Sequence, residues 1–114
     1  MASKKIEMYA KKQYELEEIK NKLEEEFDKH KSRVEFKDEI LHELGGAKTL
    51  LLIYEKWFLR TNTHASLVIV LSEYQGYQGA DIIATGGKEV LFSLGAEDDF
   101  LKLGEDALQN LGFQ

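Results

Sequence analysis

The sequence predicts an α+β fold: a meandering antiparallel sheet of about five strands with two helices packed on one face, in the order β-α-β-β-β-β-α. Three observations support this prediction. Two apolar runs within residues 50–71 are joined by a short polar segment, which is typical of a β-hairpin. Residues 13–29 and residues 100–111 each place apolar side chains three and four positions apart, which is the spacing of an amphipathic helix.

The amino-terminal third predicts a strand, a helix and a second strand. Residues 4–10 alternate apolar and polar side chains as a half-buried strand does, but they also continue a helical pattern into the next segment; we favour the strand. A helix follows from about residue 13 to residue 29. Its apolar stripe is Leu16, Ile19, Leu23 and Phe27. We expect residues 30–32 to end this helix, and residues 34–42 to form a strand whose apolar pattern is broken at Asp38.

The central hairpin follows a predicted turn at Gly45-Gly46. Its first strand contains the unbroken apolar run 50–54, residues 60–64 form a polar turn, and residues 65–71 form the second strand. Side chains in a strand alternate between its two faces. The first face therefore carries Leu50, Leu52, Tyr54 and Phe58, and the second carries Leu51, Ile53, Trp57 and Leu59. Both faces are largely apolar.

The carboxy-terminal third predicts a turn, a bent strand and a closing helix. The turn covers residues 73–79, the strand begins at residues 80–85, bends at Gly86-Gly87 and continues over residues 88–94. The closing helix buries a regular stripe and ends at Gly112, where a glycine cap is expected. The stripe is Phe100, Leu103, Gly104, Ala107, Leu108 and Leu111, preceded by the acidic first-turn residues Glu97, Asp98 and Asp99.

Length and composition limit the possible function classes. A chain of 114 residues is enough for one hydrophobic core, so we expect a single domain spanning residues 1–114. The net charge of −6 and the lack of a basic stripe disfavour nucleic acid as a partner. No run approaches the roughly 18 apolar residues of a membrane span, and the start lacks the apolar core of a signal peptide. We expect a soluble, cytoplasmic protein with no membrane partner.

Residues that could support chemistry are scattered along the chain. They are the histidines His30, His42 and His64 and the strand serines Ser66, Ser72 and Ser93. The histidines show no metal-ligand spacing, and no serine stands in a nucleophile elbow. There is no cysteine, and residues 84–88 lack the full phosphate-loop spacing and the helix that should follow it. We therefore predict no catalytic residue, no metal site and no cofactor, and an enzyme is the least favoured class.

A small-ligand cleft near the hairpin is one alternative function. An apolar cleft with a few convergent polar groups is the usual form of a ligand site. The candidate ligand-binding residues are Tyr54, Trp57, Arg60, Asn62, His64 and Tyr77. The same aromatic residues also fit a plain core position, with the polar residues in a solvated turn.

The leading hypothesis is a non-enzymatic interaction module that forms a homodimer through a sheet face. An antiparallel sheet with one solvated face should alternate cleanly between apolar and polar residues. The hairpin does not, so a second copy of the chain could cover its second face. A strongly twisted sheet, partly covered by loops or strand ends, is the competing explanation.

Several segments also resemble a known family. They are Tyr54–Phe58, Ala65–Leu67, Thr85–Gly87, Gly95–Phe100 and Leu108–Phe113. Together they resemble a small bacterial domain family of unknown function, whose members have a Ser-Gly-Gly-like bend, a short strand, a Gly-Ala-Glu-like helix start and a carboxy-terminal helix. The resemblance is strongest over residues 50–113 and extends to the amino-terminal third by element order. It implies an α+β layout with a meandering antiparallel sheet, and it implies no substrate.

Overall fold

A computed structural model of the chain describes residues 3–29, 33–58, 63–86 and 96–114. These residues form five strands and two helices in the predicted order. The elements are β1 (Ser3–Lys11), α1 (Leu16–Lys29), β2 (Val34–Leu44), β3 (Ala47–Phe58), β4 (Thr63–Tyr74), β5 (Tyr77–Gly86) and α2 (Ala96–Asn110). The predicted α+β fold is confirmed, including the strand at the amino terminus, where the sequence pattern permits both strand and helix.

All strand neighbours in the sheet are antiparallel, and the strand order is β1-β5-β4-β3-β2. Strands β2 to β5 form a meander, because each one pairs with the next in the chain. Strand β1 pairs with β5, so β1 and β2 are the two edges of the sheet. Helix α1 therefore carries the chain from one edge to the other. Neither described helix is long and apolar enough to cross a membrane.

One face of the sheet is buried beneath the two helices. Cross-strand partners share a face, and the register places the buried sheet residues in common rows. These rows are Leu50–Leu71–Ala80–Met8, Leu52–Ile69–Ile82 and Tyr54–Leu67–Ala84. The two helices, with Leu111 directly after α2, add Leu16, Ile19, Leu23, Phe27, Phe100, Ala107, Leu108 and Leu111. Both predicted apolar stripes therefore contribute to the core.

Helix α2 packs closely on the sheet because Gly104 has no side chain. A Cβ atom at this position would lie 3.1 Å from Leu67 Cδ2 and 3.5 Å from Ile82 Cγ2. The helix ends at Asn110 and is capped, as predicted, by Gly112, which has a φ of 98°. The amide of Phe113 donates to the carbonyl of Leu108, and the amide of Gly112 donates to that of Gln109. This pair of bonds is a Schellman cap.

Strand β2 contains a bulge that explains its irregular sequence. The register with β3 shifts between Phe36 and Asp38. Phe36 pairs with Tyr54 on the helical side, whereas Ile40 pairs with Leu51 on the opposite face. An extra residue in one strand moves every later side chain to the other face. The break in the apolar pattern at Asp38 is the sequence trace of this bulge.

Two predicted turns extend into residues that belong to strands in the structure. Thr63 and His64 belong to β4 and not to the preceding turn. The turn predicted over residues 73–79 contains only Gln75 and Gly76 between the two strands, and both have positive φ, 50° and 83°. A two-residue loop of this kind suits a tight hairpin. The strand residues on both sides of this loop are polar, so the sequence shows no apolar alternation that would mark the strand ends.

Some predictions fall outside the described residues. They are the helix end at residues 30–32, the tip of the central hairpin at residues 59–62, and the strand over residues 88–94.

Candidate functional site: the open face of the sheet

The face of the sheet opposite the helices has no described element over it, and its centre is apolar. We call it the open face. Its central residues are Leu51, Ile53, Val68, Val70 and Ile83, all of them half-buried. The register aligns them in two adjacent rows, Ile53–Val68–Ile83 and Leu51–Val70–Asp81. Apolar side chains on three neighbouring strands therefore form one contiguous patch.

The next row along the strands forms a depression in the open face. Its floor is the row Thr49–Ser72–Gly79, whose side chains are small. Tyr9, Tyr74 and Tyr77 border it, and their exposed fractions are 62%, 53% and 64%. We call these six residues the tyrosine trough. The cavity has a volume of about 390 Å³. Sequence reasoning missed this trough, because its residues come from four strands and only the register brings them together.

The end of the sheet that carries the trough is held by a polar network below the open face. Gln78 is 4% exposed, and its amide donates to the Tyr14 carbonyl and to Glu73, both at 2.8 Å. Lys12 Nζ donates to the same Glu73 carboxylate at 2.9 Å. Burial of Glu73 acts to raise its pKa, but the hydrogen bonds from Lys12 and Gln78 outweigh burial, and the pKa is lowered. The network thus ties the segment between β1 and α1 to the β4–β5 hairpin.

An exposed aromatic pair lies at the opposite end of the open face. Trp57 on β3 pairs with His64 on β4. The two rings meet edge to face, with centroids 4.7 Å apart. Trp57 is 42% exposed. A large apolar side chain exposed next to an apolar patch is typical of an interaction surface.

Both edges of the sheet are protected against pairing with another strand. On β1, Tyr9 and Gln114 exchange two backbone hydrogen bonds, each 2.9 Å long, so the carboxy terminus covers the edge at that point. On β2, the bulge and a series of charged side chains mark the edge. These are Glu35, Lys37, Asp38, Glu39 and Glu43. Bulges and charges are the usual protection of exposed edges, so the open face is the better candidate for contact with a partner.

The structure separates the residues predicted to form a ligand cleft. Trp57 and His64 are in contact on the open face. Tyr54 is buried on the opposite, helical face. Tyr77 lies at the other end of the sheet, in the tyrosine trough. Arg60 and Asn62 lie outside the described residues. Ligand binding by these residues stays a prediction, and the geometry joins only Trp57 to His64.

Tyr54 is a core residue with an unusual hydroxyl group. Its ring is 1% exposed and packs edge to face against Phe27 and Phe36, at centroid distances of 5.3 Å and 5.8 Å. Within the described part of the chain, the hydroxyl has no hydrogen-bond partner. Burial raises the pKa of Tyr54, and the nearby carboxylates of Glu24 and Glu39 raise it further.

Tyr54→Phe is therefore expected to raise the free energy of unfolding by about 1 kcal/mol, because it removes a buried polar group that gains nothing from folding. The raised pKa adds a pH dependence. Above the ordinary pKa of 10.0, the unfolded chain loses the Tyr54 proton while the folded chain keeps it, so wild-type stability falls as pH rises. The Tyr54→Phe variant should lack the part of this alkaline loss of stability that the Tyr54 hydroxyl causes. Urea unfolding at neutral and alkaline pH measures both effects.

The matched control is the same substitution at the exposed Tyr74, which should leave stability within about 0.5 kcal/mol of wild type. A loss of stability in Tyr54→Phe at neutral pH would show that the hydroxyl has a stabilising partner.

The profile of a family of unknown function (DUF6054) matches residues 1–112. The chain belongs to this family. The match includes the amino-terminal third, where the sequence resemblance rested on element order alone. No match to the chain was found among curated proteins. Because membership in DUF6054 assigns no chemistry, the geometry of the open face is the basis for a functional proposal.

Proposed function

We propose that the chain is a non-enzymatic interaction module that associates with a second copy of itself through the open face. The observation that supports this proposal is the contiguous apolar patch on three neighbouring strands, on the face that no described helix covers. Monomeric proteins rarely expose large apolar patches, and such patches mark contact sites. Packing two such faces together is the usual way in which antiparallel sheets bury a second face.

The size of the open face suits a stable homodimer. Five strands spaced about 4.8 Å apart, each presenting about ten residues of about 3.3 Å, span roughly 800 Å². A standard stable interface buries about 800 Å² on each partner. The whole face, with the outward sides of the two edge strands included, thus has about the area of a standard interface.

Val68→Lys tests the proposal. Val68 lies at the centre of the patch between Ile53 and Ile83. In a single copy, a lysine there can extend its ammonium group into water, so the fold should persist. In the dimer, the charge would be buried without a partner. We expect the dissociation constant to rise at least about 100-fold, or about 2.8 kcal/mol, by analytical ultracentrifugation.

The matched control is Gln109→Lys, which makes the same charge change at an exposed position on α2. Equal association of wild type and both variants, with unchanged circular dichroism, would exclude the open face as the interface.

Small-ligand binding is the second candidate function, and the volume of the tyrosine trough is the observation that favours it. Cavities of roughly 300–1,000 Å³ bordered by aromatic residues are common ligand sites. Native mass spectrometry of the purified chain tests this candidate, because a bound molecule adds its own mass to that of the monomer. A single-chain mass with no adduct would count against it.

A further inference from the structure

We infer that, in the dimer, Trp57 of each copy inserts into the tyrosine trough of the other copy, so that the strands of the two sheets run antiparallel. This inference rests on the proposed function and specifies how the two open faces meet. The trough and Trp57 lie on the same face of the sheet, one near each end of the strands.

The shape of the open face carries the argument. A homodimer interface with two-fold symmetry uses the same surface on both copies, so that surface must complement itself. The open face has an exposed indole, Trp57, near one end and a depression of about 390 Å³, the tyrosine trough, near the other. That volume lies within the roughly 300–1,000 Å³ of sites that accept whole small molecules, so an indole ring fits.

The register places Trp57 and the floor of the trough at equal distances from the row Ile53–Val68–Ile83. Trp57 lies four residues from Ile53 along β3, and Thr49, on the floor of the trough, lies four residues from Ile53 in the other direction. At about 3.3 Å per residue, each separation is about 13 Å. A two-fold axis that runs across the strands over the row Ile53–Val68–Ile83 therefore places Trp57 of one copy above the trough of the other.

The competing two-fold axis runs along β4, the middle strand of the sheet. It would stack trough on trough and leave both unfilled. It would also bring Lys5 on β1 above Asp38 of the second copy on β2, since each pairs with the row Ile53–Val68–Ile83. The antiparallel axis instead places Lys5 above Lys5 and Asp38 above Asp38 of the second copy. All of these charges lie on the two outermost strands, at the rim of the interface, where solvent screens both the attraction and the repulsion. An unfilled depression at an interface forfeits the packing of every side chain that lines it, so shape favours the antiparallel arrangement.

Cysteine cross-linking separates the two arrangements, and the chain contains no native cysteine. His64 and Ser72 both lie on β4, four residues on either side of Val68. The antiparallel arrangement places position 64 of one copy above position 72 of the other. The parallel arrangement places each position above itself. The samples are His64→Cys alone, Ser72→Cys alone, and their mixture after exchange of subunits. All are treated with a short bifunctional thiol cross-linker, because stacked sheets lie about 10 Å apart and a disulfide joins Cα atoms no more than about 7 Å apart. Gln109→Cys measures random collisions.

We expect cross-linked dimers in the mixture at least tenfold above the collision control, with neither single variant above it. Cross-linking of each single variant with itself would overturn the inference and establish the parallel arrangement. A dimer detected by light scattering that cross-links in no sample would also overturn it. A wild-type monomer would instead contradict the proposed function, so the two failures are distinguishable.

Trp57 is the only tryptophan in the chain, so its fluorescence gives an independent readout. Dilution through dissociation should shift its emission to longer wavelength and raise its quenching by iodide, because the indole leaves the trough. Trp57→Ala should weaken association at least tenfold, since buried tryptophans are frequent hot spots. Emission that stays constant across dissociation would show that Trp57 is not at the interface.

Discussion

Leu108→Ala is expected to lower the free energy of unfolding by about 2–5 kcal/mol. Leu108 lies on the buried stripe of α2, where its exposed fraction is 0%. The substitution removes apolar contacts and leaves a cavity between helix and sheet, and a close-packed interior fills such a cavity only in part. It does not weaken the helix itself, because alanine is a good helix former. Urea denaturation followed by circular dichroism measures the loss.

The control for Leu108→Ala is the same substitution at Leu44, which is 84% exposed at the end of β2. Leu44→Ala should change stability by less than about 0.5 kcal/mol. A loss below about 0.5 kcal/mol in Leu108→Ala as well would mean that the α2 stripe is not buried.

Gly104→Leu is expected to lower the free energy of unfolding by about 1–3 kcal/mol or more. The Cβ atom alone would lie 3.1 Å from Leu67 Cδ2, so the rest of the leucine side chain has no room between α2 and the sheet. The helix would have to move away from β4 and β5, with loss of packing along its length. Thermal unfolding compares this variant with Gln109→Leu, which adds the same side chain at an exposed site on α2. Equal melting temperatures would show that α2 does not approach the sheet closely.

Most of the fold follows from the spacing of apolar residues. The stripes of α1 and α2 and the alternating faces of β3 and β4 were sufficient to predict the layers. The strand ends were harder to predict, because hydrogen bonds and not apolar side chains define them. Gln78 and Gly79 are strand residues of low apolar character, and Gln78 is buried because it bonds to Tyr14 and Glu73.

The candidate site was predictable only in part. Alternation within the hairpin is enough to indicate a second apolar face, and the structure places Leu51, Ile53, Val68 and Val70 on the face opposite the helices. The pairing of β5 with β1, which brings Tyr9 next to Gly79, is a contact between residues far apart in the chain. No local pattern encodes that register, so the tyrosine trough could not be predicted. Tyr54 and Trp57 lie on opposite faces of β3, because positions three apart in a strand point to opposite sides, and ligand binding by them stays a prediction.

The central claim is tested most directly by light scattering of the wild-type chain after size exclusion. The concentration series extends to about 1 mM, because a dissociation constant above that value corresponds to a binding free energy of less than about 4 kcal/mol. The proposal of an open face that binds a second copy predicts a mass that rises with concentration to twice the 13.1 kDa of one chain. A mass that stays at 13.1 kDa across the whole series would contradict it.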